Sequence, residues 1–254
     1  MSSVTVSGAA ITTSEALAIT AMSALLFVVG GSLLLPLGTM GIIATQVIAF
    51  ACPALVLAYS KPSPRTVLAL RTAPVVAILA AALIGTTLWY WNVHWIAPLS
   101  ASWSPPEQSA QWSEVVAVTV RPLWESIFVF AFVPAICEEF LHRGIIAPAI
   151  ARRFGIPAAV ILSGAIFGLS HLSLARLLPT ALLGGFAAYL RLRSQSLWPA
   201  ITVHFLSNCS LLLAASFSWD LPSSWAYPCA LLTLLGVETV RRCSRTKANQ
   251  AWAQ

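Results

Sequence analysis

The chain has 254 residues, of which 58% are hydrophobic and only 9% are charged, and its mean hydropathy is +0.84. Soluble domains carry about 25% charged residues, so this composition excludes an ordinary soluble fold. The net charge of +6 does not indicate nucleic-acid binding, because the basic residues are scattered through short loops and form no cluster. We therefore predict one integral membrane domain, residues 1–254, in contact with the lipid bilayer.

Apolar runs of about 20 residues predict spanning helices, because a helix rises about 1.5 Å per residue and the bilayer core is about 30 Å thick. Such runs recur along the chain, so the predicted fold class is all-α: a polytopic transmembrane helical bundle with about eight transmembrane helices. They lie near Leu17–Leu35, Met40–Tyr59, Pro74–Trp91, Val115–Cys137, Ile156–Leu172, Leu177–Leu190, Leu197–Phe217 and Trp225–Val240.

Basic loop residues predict the orientation, because Lys and Arg are retained on the cytoplasmic side. In an eight-helix threading they share one side, which carries Lys61, Arg65, Arg71, Arg152, Arg153, Arg191, Arg193, Arg241, Arg242, Arg245 and Lys247. Both termini are then cytoplasmic, and residues 241–254 form a basic tail. The opposite side carries Glu107, Glu114 and Asp220 with a belt of aromatic residues, including Trp112.

The segment Met1–Thr13 has no Lys or Arg ahead of the first apolar run, so we expect that run to stay in the mature protein. Arg outnumbers Lys by twelve to two, which is associated with GC-rich bacterial genomes. The expected location is the bacterial cell (inner) membrane.

An acidic pair continues the fourth apolar run, although a charge at the bilayer centre costs roughly 2.5–3.5 kcal/mol. Glu139 and Arg143 are four apart and share one helical face, which gives this carboxylate a counter-charge. Glu138 points about 100° away and is left for reaction. Cys137, which precedes the pair, is an alternative nucleophile, but most buried cysteines are inert.

Two further polar groups lie in apolar runs. His171 follows Phe167 by four residues, and His204 and Asn208 are four apart on one helical face. A lone membrane histidine is more often a helix-to-helix hydrogen bonder than a catalyst. Together with Glu138, however, two imidazoles and a carboxamide supply a general base, a proton carrier and oxyanion donors.

These three elements occur in the order seen in the CAAX proteases and bacteriocin-processing enzymes, which include the type II CAAX prenyl endopeptidases, and the chain resembles that family. The resemblance covers roughly Glu125 to Ser210, within a protease-like core at about 115–217. His142 departs from the pattern, because the family usually has an aromatic residue before the Arg-Gly pair. This difference concerns local packing or substrate preference more than the chemistry.

The resemblance implies that Glu138, helped by His171, activates a water that attacks the scissile carbonyl. His204 and Asn208 would stabilise the oxyanion, and Glu139 with Arg143 would be the supporting pair. The substrate would be a membrane-anchored or lipidated protein cut near its C-terminus. No cofactor is certain, but Zn²⁺ is possible, because Glu138, His171 and His204 form an established catalytic ligand set with water.

Straight helices would not bring His204 level with Glu138 and His171, since His204 lies closer to the basic side. Helix tilt, a break near Gly144–Pro148 or an interfacial helix around Ala149–Phe154 would close this gap. We expect a water-filled cavity at the site, opening to the cytoplasm.

Two other functions compete with the protease. A non-catalytic membrane immunity or partner protein of the same family would need no intact catalytic set, whereas this chain has Glu138, His171, His204 and Asn208. A proton-coupled transporter also places Glu and His in helices, but the chain lacks the paired broken helices of such folds.

Overall fold

The computed structural model describes residues 11–104 and 121–251, and every regular element in these ranges is helical. This confirms the predicted all-α fold class. The α-helices are α1 (Thr13–Leu34), α2 (Gly38–Gln46), α3 (Cys52–Tyr59), α4 (Pro64–Val67), α5 (Val75–Trp91), α6 (Ala97–Ala101), α7 (Leu123–Ile127), α8 (Val133–Glu139), α9 (Ala147–Ser170), α10 (Leu174–Ser194), α11 (Trp198–Ser216) and α12 (Ala226–Ala251).

Wider π-helical turns join several of these helices without a break. They are Val47–Ala51 between α2 and α3, Asn92–Ile96 between α5 and α6, Phe128–Phe132 between α7 and α8, and Phe140–Ile146 between α8 and α9. Such turns are frequent at functional sites. Here, the π-helical segment that follows α8 contains both His142 and Arg143.

Four continuous helical segments in the described ranges are long and apolar enough to cross a membrane, so the chain is a membrane protein. They are Thr13–Tyr59, Val75–Ala101, Leu123–Ser170 and Trp198–Ser216. The first and third have 47 and 48 residues, more than twice the roughly 20 needed for one crossing. The total of about eight spans stays a prediction. Glu107, Trp112, Glu114 and the first residues of the fourth predicted run, 115–120, lie outside the described part of the chain.

The chain reverses direction at Gly155, where φ is 82° and ψ is 169°. His142 and Phe167 lie on either side of this glycine in the sequence, yet their ring centroids are only 5.0 Å apart. A residue with a Cβ is strained at this φ, so glycine permits the turn. Of the three alternatives that would bring the site residues level, the break near Gly144–Pro148 is wrong: Pro148 sits in the first turn of α9, where a missing N–H is tolerated.

Small residues allow α9 and α10 to pack closely. A Cβ at Gly164 would lie 2.7 Å from the backbone oxygen of Ala181, and one at Gly168 would lie 2.5 Å from that of Leu177. In membranes, where lipid removes the hydrophobic driving force between helices, such close approach supplies the packing energy. This contact fixes the depth of His171 against α10.

Several of the basic side chains gather at one end of the bundle, which we call the basic end. Lys61 pairs with Glu15 at 2.5 Å, and Arg71 donates to the backbone oxygen of Gln195 at 2.6 Å. Arg152 also donates to a backbone carbonyl near the start of α1. The structure thus places basic residues of distant loops together, as the threading predicts; the side of the membrane that they face stays a prediction.

The start of α11 packs against the loop that follows α4. Ser196 and Leu197 are completely buried, the Ser196 hydroxyl donates to the Arg71 carbonyl at 2.7 Å, and Leu197 N–H donates to the Ala69 carbonyl at 3.0 Å. Further along α11, His204 Nε2 lies 4.0 Å from Glu138 Oε2. The two residues are therefore level in the structure, despite the gap in depth expected of straight helices.

Candidate active site

Glu138 lies at the end of α8, with 6% of its surface exposed. Gln46, the last residue of α2, donates from Nε2 to Glu138 Oε1 at 3.0 Å. The other oxygen, Oε2, is buried and has no hydrogen-bond partner among the described residues. Sequence reasoning missed Gln46, although a carboxamide inside an apolar run was a signal that could have identified it.

Glu139, Arg143 and His204 form a buried polar chain. Arg143 Nη1 lies 2.7 Å from Glu139 Oε1, so the ion pair expected from the i,i+4 spacing is present. The same oxygen lies 2.8 Å from His204 Nδ1. Glu139 and Arg143 are both fully buried, and their opposite charges reduce the cost of burying either one.

The Phe167 ring lies at the centre of the site. Its centroid is 4.3 Å from the Arg143 guanidinium carbon, 4.9 Å from the His171 ring and 5.5 Å from the His204 ring. His142 meets the same ring edge-on at 5.0 Å. His142 thus packs as an aromatic side chain, in the position where the family resemblance expects one.

His171 ends α9, and its ring orientation is set by the backbone. Nδ1 lies 2.8 Å from the carbonyl oxygen of Phe167. A carbonyl only accepts, so Nδ1 carries the proton, and Nε2 of the neutral ring keeps a lone pair. This tautomer makes Nε2 the atom of His171 that can take a proton.

The second imidazole faces the reactive carboxylate. His204 Nε2 lies 4.0 Å from Glu138 Oε2, which is too long for a direct hydrogen bond but suits a bridging water. One turn further along α11, Asn208 donates from Nδ2 to the Phe130 carbonyl at 3.2 Å. This contact uses one of the two amide hydrogens and leaves the other for a ligand.

All four predicted catalytic residues, Glu138, His171, His204 and Asn208, line one cavity of about 550 Å³. We call it the catalytic cavity. The described residues that line the cavity do not include Glu139, Arg143 or Cys137. This is consistent with a supporting role for Glu139 and Arg143. Arg176 lines this cavity as well.

Residues 120–210 match the family model described as type II CAAX prenyl endopeptidase Rce1-like. This confirms the resemblance drawn from the motifs, and the matched range contains all six residues of the predicted site. No curated protein and no solved structure matches the chain. The family match supports a CAAX-type intramembrane peptidase.

The donor set can be compared with a Zn²⁺ site. The histidines have the outer partners typical of metal ligands, because one ring donates to the carboxylate of Glu139 and the other to a backbone carbonyl. However, among residues 11–104 and 121–251 no three His, Cys, Asp or Glu side chains converge closely enough to hold one ion. The arrangement of these side chains therefore does not fit a bound ion.

Proposed function

We propose that the protein is an intramembrane endopeptidase that hydrolyses a peptide bond near the C-terminus of a membrane-anchored or lipidated protein. One observation carries the proposal: Glu138, His171, His204 and Asn208, which lie on or at the end of three different helices, line a single cavity. A structural role for each polar residue alone would not require this convergence. Burying two carboxylates and an arginine in a membrane bundle is costly, which favours a functional reason.

Glu138 and His171 activate the attacking water. The unpartnered Oε2 of Glu138 accepts one hydrogen of a water in the catalytic cavity, and His171 Nε2 supplies a second acceptor. As the water oxygen bonds to the scissile carbonyl carbon, its proton passes to this pair. The proton is then delivered to the leaving amine as the C–N bond breaks, so the products are a carboxylic acid and a new amine.

His204 and Asn208 stabilise the negative charge that develops on the carbonyl oxygen. Asn208 offers its second Nδ2 hydrogen. His204 already donates from Nδ1 to Glu139, so it must carry both ring protons to donate from Nε2 as well. The Glu139 carboxylate and Glu138 flank that doubly protonated ring, and Arg143 keeps the buried group from gathering excess negative charge.

The proposal is tested with purified, reconstituted protein. Glu138→Gln keeps the size of the side chain but removes the base, so cleavage should fall by at least about 100-fold. Glu125→Gln is the matched control, because Glu125 pairs with Arg121 and is not among the described residues that line the catalytic cavity. C-terminal peptides of the native membrane proteome are followed by mass spectrometry after incubation with each form.

New C-termini that appear with wild type and Glu125→Gln and are lost with Glu138→Gln support the endopeptidase and identify its substrate. Identical peptide patterns for folded wild type and Glu138→Gln would contradict it, and a binding or immunity role would become the better account.

Substitutions of the histidines provide a second test of the proposed function. His171→Gln and His204→Gln should each abolish most cleavage, whereas His94→Gln should keep it, because His94 packs on Tyr90 at 4.5 Å outside the described cavity lining. Cleavage that survives prolonged treatment with a Zn²⁺ chelator indicates that the residues act without an ion. Loss of cleavage that added Zn²⁺ restores would instead assign a metal to this site.

A further inference from the structure

The catalytic cavity extends away from the basic end. On α10 its lining residues, Arg176, Thr180 and Leu183, lie in the first half of the helix, whereas the basic residues close the second half. On α11, which begins beside Arg71 at the basic end, the cavity includes Leu211 and Leu212 in the more distant half of the helix. Both helices therefore place the cavity between the middle of the bundle and the end opposite the basic residues, which we call the far end.

The remaining helices agree. Gln46 is the ninth and last residue of α2 and is followed by a π-helical turn and the whole of α3 before the chain reaches Lys61 at the basic end. Phe27 lies in the second half of α1, which starts at the basic end beside Glu15. Lining residues on four separate helices thus give the same direction.

The cavity also reaches an exposed turn at the far end. Leu172 is 65% exposed and lines the cavity together with Ser173, where the chain turns between α9 and α10. Ser173, Thr180 and Arg176 make this part of the wall polar. Polar side chains at this depth are tolerated where they line a water-filled space, so this wall is suited to admit water from the far end.

A second, apolar cavity of about 300 Å³ adjoins the catalytic cavity and shares Phe27, Phe50 and Leu172 with it. Its lining includes Val28 and Leu169, which are 49% and 61% exposed. Because the chain is embedded in lipid, this opening lets an apolar peptide segment pass sideways from the bilayer toward Glu138.

We propose that the catalytic cavity opens toward the non-cytoplasmic side and takes membrane-anchored proteins whose scissile bond lies in that half of the bilayer. The excess of Lys and Arg at the basic end assigns that end to the cytoplasm, so the far end faces the other side. This differs from the cytoplasmic opening expected from the sequence and disfavours a lipidated cytoplasmic tail as the substrate. The substrate class rests on the proposed hydrolase function, whereas the direction of opening does not.

Cysteine accessibility tests the direction of opening in intact spheroplasts. The five native cysteines are first replaced by serine. Single cysteines are then introduced as Thr180→Cys in the cavity wall, Ser63→Cys in the exposed loop at the basic end and Ser224→Cys at the exposed far end. A small, charged, membrane-impermeant thiol reagent is applied before and after permeabilisation, and residual thiols are counted by a gel-shift maleimide.

We expect Thr180→Cys and Ser224→Cys to react in intact spheroplasts and Ser63→Cys to react only after permeabilisation. The proposal is overturned if the Thr180 position reacts only after permeabilisation, if it reacts under neither condition, or if Ser63→Cys is the variant labelled from outside. Ser173→Cys, on the exposed turn, repeats the test if Thr180→Cys does not fold. Because labelling does not depend on cleavage, an inactive protein would contradict the proposed function without affecting the test of the direction of opening.

The substrates identified in the cleavage assay give a second arm. New C-termini should lie at the non-cytoplasmic end of a membrane anchor. Cleavage sites confined to cytoplasmic tails would overturn the substrate class even if hydrolysis itself is established.

Discussion

Adding one methyl group at Gly184 tests whether the packing behind the catalytic residues is as tight as the structure shows. A Cβ there would lie 2.9 Å from Arg143 Nη2 and 3.0 Å from both Cβ and Cδ1 of Phe167. Phe167 contacts the rings of His171 and His204, so it cannot move away without disturbing them. We expect Gly184→Ala to destabilise the protein by about 1–3 kcal/mol, the usual cost of overpacking.

Gly185 provides the matched control in the next position of α10. A Cβ there would lie 3.6 Å from the Val160 carbonyl oxygen and 3.7 Å from Val160 Cγ1, which are ordinary contacts. Replacing a helical glycine by alanine stabilises a helix by up to about 1 kcal/mol. The two variants make the same substitution, so only Gly184→Ala should lower the stability.

The assay is thermal unfolding of both purified variants in the same detergent, with cleavage measured alongside. At this chain length 1 kcal/mol corresponds to roughly 2–4 °C in Tm, so Gly184→Ala should lower Tm by several degrees and Gly185→Ala should leave it unchanged or raise it slightly. Gly184→Ala should also reduce the cleavage rate of the protein that remains folded. Equal Tm shifts for the two variants, or a Gly184→Ala protein as stable and active as wild type, would refute the reasoning.

Three further changes test other parts of the site. Gln46→Leu removes the 3.0 Å hydrogen bond to Glu138, and losing a bond to a charged group costs about 1.5–3 kcal/mol, so the cleavage rate should fall. Gln46→Glu places a second carboxylate against Glu138, so its cleavage rate should fall further. Equal activity of the two variants in the cleavage assay would contradict this role for Gln46. Arg143→Lys keeps the charge but loses the guanidinium that lies 4.3 Å from the centroid of the Phe167 ring, so the free energy of unfolding should fall by about 2 kcal/mol. Arg143→Met leaves Glu139 without its ion pair, so the free energy of unfolding should fall by about 3–5 kcal/mol. A smaller effect of methionine than of lysine in chemical unfolding would argue against the ion pair. Gly155→Ala should cost about 1–3 kcal/mol because φ is 82° there, and an unchanged Tm would show that the turn adopts another conformation.

Hydropathy and helical spacing, both local properties, determined much about this protein. The apolar runs predicted an all-helical membrane bundle because lipid leaves few other ways to satisfy backbone hydrogen bonds. The four-residue spacing of Glu139 and Arg143 predicted their ion pair, which forms at 2.7 Å even though the backbone between them is π-helical. The three motifs also pointed to the family whose model matches residues 120–210.

Only the tertiary structure decided which helix meets which, and at what depth. The bond from Gln46 to Glu138 joins residues 92 positions apart, and that from His204 to Glu139 joins residues 65 positions apart. The sequence also offered a break near Gly144–Pro148 as one way to level the site, whereas the chain stays helical there, with a π-helical segment at Phe140–Ile146 and Pro148 in the first turn of α9. Spacing along a helix fixes which side chains share a face, but the rotation, tilt and depth of that face depend on packing against neighbouring helices, here through glycines such as Gly164 and Gly168.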